Sequence, residues 1–118
     1  MEKQSEYFSL DVISPYMNIV SDVKSNMVNK IPAVVHIDST ARIHSVTKKL
    51  NPLYHKLISE FYSITNIPVL LNTSFNIQEP IVNSPKDAIK TFINSRVDAL
   101  VIGNYFCDTN WRNRIKKL

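Results

Sequence analysis

The stretch Pro68-Val-Leu-Leu-Asn-Thr-Ser-Phe-Asn76, continued by Ile77-Gln-Glu-Pro-Ile-Val82, decides how this chain is read. An apolar run, Val69 to Leu71, stops at a cluster of short, uncharged donors and acceptors. A buried strand that delivers a polar site at its end has this form. So does a strand running into a polar turn, because Asn and Ser favour turns for local reasons. Asn72, Thr73, Ser74 and Asn76 are suited to holding phosphate, carbamoyl or nucleobase edges, and Asn72, Ser74 and Asn76 are the candidate ligand residues.

Helices are expected on both sides of this stretch. Asn51-Pro52 supplies an N-cap and a first-turn proline, and Leu53, Tyr54, Leu57, Ile58 and Phe61 follow at helical spacing. That helix should end near Asn66, since Pro68 disfavours helical geometry at the residue before it. Ser84-Pro85 opens a second helix, with Asp87 at the positive end of its dipole and Ala88, Ile89, Phe92 and Ile93 as its buried stripe.

Strands are expected from the alternation of Met17, Ile19, Ser21 and Val23, from the run Ala33 to Ile37, and from Ala41 to Val46 after a polar turn at Asp38-Ser-Thr40. Ala99-Leu-Val-Ile102 reads as a core strand ending at Gly103, the only glycine. Strands alternating with helices argue for an α/β fold with helices packed on a mixed, twisted sheet, any parallel neighbours being joined by right-handed crossovers.

Composition narrows the class. The chain has 118 residues, 44% of them hydrophobic, and reads as one globular domain with a sizeable core. The net charge of +4 comes from Arg112, Arg114, Lys116 and Lys117, because the other ten basic residues balance the ten acidic ones. Trp111, Ile115 and Leu118 recur at i, i+4 and i+7, so a short amphipathic helix accounts for this tail better than nucleic-acid binding does. A single cysteine, Cys107, excludes an intramolecular disulfide and fits a small buried hydrophobe in a reducing compartment. With neither a signal peptide nor a run of about 18 apolar residues in this sequence, a cytoplasmic protein without membrane contact is expected. His36 and Asp38 form an H-x-D pair on one strand face, yet two ligands do not make a metal site, and no metal is expected in this chain.

The blocks Ser14-Pro-Tyr-Met17, Ile31-Pro-Ala-Val-Val-His-Ile-Asp-Ser-Thr-Ala-Arg42, Asn51-Pro-Leu-Tyr54, Pro68 to Asn76, Glu79-Pro-Ile-Val82, Ser84-Pro-Lys-Asp-Ala88 and Asp98-Ala-Leu-Val-Ile-Gly-Asn104 follow one another in an order and spacing that resembles the C-terminal domain of the NodU/CmcH carbamoyltransferases. The resemblance covers residues 7 to 106. It implies the terminal part of a YrdC-like half, which makes carbamoyl-adenylate from ATP and carbamoyl phosphate. An actin-like half then passes the carbamoyl group to the hydroxyl of a small-molecule acceptor.

Carried over residue by residue, the resemblance puts Arg42, Asn72 and Ser74 at the carbamoyl-adenylate. It gives Asn76 a lesser claim through the S-x-N element Ser74-Phe-Asn76. A guanidinium suits phosphate because its planar fork offers two parallel donors. Without the resemblance, Arg42 reads as a surface ion-pair residue, and the resemblance reverses that reading.

Two departures stand beside the match. Ser39 replaces a glycine that usually precedes the Ala-Arg pair, and Asn76-Ile-Gln-Glu79 lacks the glycine that usually precedes Glu-Pro-Ile-Val. Both restrict the backbone, since glycine reaches φ > 0 without steric cost. The family's Lys-x-Arg element and actin-like half have no counterpart in these residues, so a companion chain carrying them, or self-association, is expected, and the chain alone is expected to be inactive. A non-catalytic fragment, or a degenerate YrdC-like module that binds nucleotide or a partner, is the alternative.

Overall fold

Alternation over Ile19–Asp22 forms strand β1, and Thr40–Ile43 forms β2. They pair antiparallel with Ile19 opposite Ile43, Val20 opposite Arg42, Ser21 opposite Ala41 and Asp22 opposite Thr40. The computed structural model describes residues 3–109, so the helix expected over 111–118 lies outside the described residues. The chain divides into two compact units, Met1–Asn72 and Thr73–Leu118.

In the first unit the buried core is Tyr7, Phe8, Val23, Ile31, Ala41 and Ile43. Tyr7 closes the short helix α1, Gln4–Tyr7, and Phe8 bridges to Val23 beyond β1. The leading segment is tied down by side chains as well. The Ser14 amide donates to Ser45 Oγ at 2.9 Å, and Ser14 Oγ donates to the Ile43 carbonyl at 2.9 Å. Residues 3–14 therefore cover the β1–β2 ribbon, a role their polar opening gave no hint of.

The strand expected over Ala33 to Ile37 is instead a tight 3-10 turn at Pro32–Val34. Pro32 fixes φ and lacks a donor, and its carbonyl accepts from Val35 N, so the apolar run coils rather than extends. Ser39 N then donates to His36 O, and Ser39 takes a left-handed φ of 65°. That is the position where a glycine was missed in the sequence. Ser39→Gly should raise the urea midpoint, stabilising by about 0.5 to 1 kcal/mol because relief of left-handed strain exceeds the added unfolded-state freedom. An unchanged or lower midpoint would mean the turn holds Ser39 without strain.

Helix α2, Pro52–Thr65, has the expected bounds. Asn51 Oδ1 caps it by accepting from Tyr54 N, and Asn66 ends it in the left-handed conformation at φ 58°. Its inward stripe differs from the sequence reading. Leu53 and Leu57 are 81% and 57% exposed. The half-buried residues are Tyr54, His55, Ile58, Phe61 and Tyr62, which share one face. Aromatic contacts hold that face, with Tyr54 stacked at 59° on His44 and the Lys3 ammonium over the Tyr62 ring.

Val69 to Leu71 was read as a buried strand, but residues 67–73 form neither helix nor strand. A strand needs a ladder partner, and these residues have none among the described ones. Ile67 and Val69 still pack on the core, while Leu71 turns outward.

In the second unit, helix α3, Pro85–Asn94, is capped by Ser84, whose hydroxyl accepts from Asp87 N. It buries Ala88, Thr91 and Phe92. Strand β3, Ala99–Ile102, is joined to β4, Tyr105–Asp108, by the two-residue loop Gly103-Asn104. Gly103 sits at φ 56°, as a type II′ hairpin requires at its first loop position. Strand β4 was not foreseen, because Tyr-Phe-Cys-Asp carries no two-residue period. Ile89 and Ile93, expected in the stripe with Ala88 and Phe92, line an apolar groove of about 280 Å³ with Phe92, Leu100, Ile102 and Tyr105. Cys107, read as buried, is exposed at the same groove.

The α/β class holds, with two antiparallel two-stranded sheets and three helices among the described residues. No helix among them is long and apolar enough to cross a membrane.

Candidate functional site

Arg42 owes its position to strand alternation. Ala41 and Ile43 point into the core, 2% and 5% exposed, so Arg42 between them projects from the other face beside Val20. No ion pair among the described residues engages it.

His44, two residues on, extends the same side of the chain. Asn72 Nδ2 lies 3.2 Å from His44 Nδ1 and 3.8 Å from Met17 Sδ. An amide nitrogen only donates, so the acceptor in this contact is Nδ1 of His44. The histidine ring is backed by Tyr54, with centroids 5.9 Å apart. Burial raises the phenol pKa of Tyr54. Asn72, thirty residues beyond Arg42 in sequence, is thereby tied to the chain just past the end of β2. His44 was passed over in the sequence, where the only available signal was its place two residues after Arg42.

Ser74 and Asn76 belong to the second unit. Ser74 is exposed and Asn76 half-buried. The Asn76 amide nitrogen donates to the Glu79 carbonyl at 2.9 Å. The Glu79 carboxylate accepts from Ile77 N at 3.2 Å, from Gln78 N at 3.0 Å and from the Thr91 hydroxyl at 2.5 Å. Val82 N closes the loop onto Phe75 O at 3.3 Å. The loop thus turns without the missing glycine, since none of residues 76–79 adopts positive φ.

These donors, the Thr91 hydroxyl first, hold the Glu79 pKa down at about 2. Its folded pKa lies below the ordinary 4.5, so its contribution is complete above about pH 4.5 and is lost as pH falls toward 2. Glu79 is a second residue that sequence reasoning missed, although it opens one of the quoted blocks.

The H-x-D pair is occupied locally. Asp38 Oδ1 accepts from Thr40 N at 3.1 Å and from Thr40 Oγ1 at 2.7 Å, while His36 Nδ1 lies 2.9 Å from the same hydroxyl. The hydrogen bonds from Thr40 lower the Asp38 pKa. The two side chains brace the turn that leads into β2 and Arg42. Among the described residues, no group of three or more His, Cys, Asp or Glu side chains is placed to hold a metal ion.

Comparison with known proteins supplies the family. The model of the carbamoyltransferase C-terminus matches residues 1–109. Nodulation protein NolO of Bradyrhizobium diazoefficiens is 44% identical over 108 residues, covering 88% of this chain and 20% of its own length. Nodulation protein NolNO of Sinorhizobium fredii is 42% identical, covering 88% of this chain and 16% of its own length. A Synechocystis protein, sll1178, is 38% identical over 88% of this chain and 20% of its own length. The chain spans about a fifth of the length of these relatives. With the family's match running unbroken across both units, this chain belongs to the carbamoyltransferase C-terminal family.

Proposed function

We propose that the chain is the part of a carbamoyltransferase that contributes to the site where ATP and carbamoyl phosphate give carbamoyl-adenylate, for O-carbamoylation of a small-molecule acceptor. The observation that carries this reading is the 3.2 Å contact of Asn72 with His44, which ties a neutral amide to the residue two beyond Arg42, an arginine without an ion pair among the described residues. A guanidinium and an amide meet the two needs of an acyl-adenylate, anionic phosphate oxygens and a carbamoyl group with both donors and acceptors. Ser74 and Asn76 follow Asn72 in the chain.

Water releases inorganic phosphate from carbamoyl phosphate, a carbamate oxygen then attacks the α-phosphorus of ATP as the bond to pyrophosphate breaks, and the charge that develops on the departing pyrophosphate calls for several positioned cations. Arg42 is the one arginine of residues 3–72, so the actin-like half and further cations come from outside these residues, on the same polypeptide or on a companion chain. Apolar surface is available for such a partner: Leu53 and Ile64 on α2 are 81% and 82% exposed, and Val101 and Phe106 on the β3–β4 hairpin 67% and 69%.

The test mixes this chain with such a companion and follows carbamoyl phosphate-dependent release of pyrophosphate from ATP. Release by the mixture, little by either chain alone, and a drop of about tenfold or more with Asn72→Ala are expected. Two folded chains that sediment separately, or a mixture that releases no pyrophosphate, would overturn the proposal.

A further inference from the structure

Glu79 is an exposed loop carboxylate that nonetheless accepts three hydrogen bonds, and the anchor among its donors is Thr91. That threonine is 3% exposed on α3, one residue before Phe92, which is 2% exposed in the packing of the second unit. A buried hydroxyl on a packed helix has few places to donate, and here it reaches out to a loop. Hydrogen bonds to an ionised acceptor are the stronger kind, so the link is stiff compared with the polar loop it restrains. The backbone carbonyl of Glu79 accepts from the Asn76 amide nitrogen. A carbonyl can only accept, so the Asn76 amide orientation is fixed, one of its two N–H donors is committed to the loop, and its oxygen is turned away from that bond and is kept as an acceptor for a ligand.

We infer that Glu79 is the positioning residue of the Ser74–Asn76 segment, clamping it to α3 through the Thr91 hydroxyl and turning Asn76 into an acceptor for an N–H group, of the kind a carbamoyl amide carries. This rests on the proposed function, because it presumes that Ser74 and Asn76 meet the ligand. Glu79 itself touches no substrate in this account.

The test uses the assembled enzyme with carbamoyl phosphate and ATP as probes. Thr91→Val, which keeps the shape and removes the hydroxyl, and Glu79→Gln should each raise the KM for carbamoyl phosphate about tenfold while kcat changes less than about twofold, the pattern of lost binding. Thr91→Ser should restore the KM. In the chain alone, the Ile77 and Gln78 amides should exchange faster in Thr91→Val, with the thermal midpoint little changed. An unaltered KM in both variants, or a Thr91→Ser variant as impaired as Thr91→Val, overturns the clamp while leaving the site intact. Arg42→Ala without effect overturns the site and the clamp together. If Thr91→Val fails to fold, Glu79→Gln, at an exposed position, still decides.

Discussion

Arg42→Ala is expected to lower carbamoyl-adenylate formation by about 100-fold in the assembled enzyme, the size of effect seen when one donor to a developing charge is removed. The loss should fall mainly on kcat, because the phosphate contact strengthens as pyrophosphate departs. Stability should hardly move. The side chain is exposed, and the core contacts of β2 are made by Ala41 and Ile43. Arg42→Lys should lie between the two, since an ammonium keeps the charge but loses the planar fork. Pyrophosphate release measured at saturating ATP checks this, and an unchanged rate would remove Arg42 from the site.

The largest stability effect belongs to the second unit. Phe92 is 2% exposed and sits among Ile89, Ile93, Leu100 and Ile102. Phe92→Ala should cost about 3 to 5 kcal/mol through lost transfer and the cavity left behind. That is a large share of what a small unit can hold. Amide exchange in β3 and β4 should lose most of its protection. Ile89→Ala, at a residue already 50% exposed, should cost far less. Equal losses at the two positions would mean that the groove, not the packing under Phe92, organises the unit.

Local chemistry was legible in the sequence where it acts through the backbone of a few residues. Asn51-Pro52 and Ser84-Pro85 place the helix starts as observed, and Pro68 with Asn66 places the first helix end. Period-two alternation found β1, and the short run before Gly103 found β3.

What failed were inferences that needed partners. An apolar run is only a strand if another strand lies beside it, so Ala33 to Ile37 and Val69 to Leu71 were misread. The α2 stripe was placed one step around the helix because hydrophobicity favoured Leu53 and Leu57, whereas the inward face is chosen by Tyr54 meeting His44 and Tyr62 meeting Lys3. Gln4 and Ser45, which seal the leading segment, are polar residues with no periodic signature.

The candidate site divides in the same way. Arg42 and Asn72 could be nominated by type and by family likeness, but the histidine that Asn72 contacts could not. The loss of glycine before Glu79 was visible, and its remedy, a carboxylate reaching back to Ile77 and Gln78, was not. Such a bond depends on how three residues turn, and spacing alone does not report it.

The most direct test is a crystal structure of the assembled enzyme with carbamoyl-adenylate or a stable analogue bound. The Arg42 guanidinium is expected on the phosphate and the Asn72 amide on the same ligand, each at about 2.7 to 3.2 Å. A ligand bound with Arg42 and Asn72 both out of reach would contradict that placement.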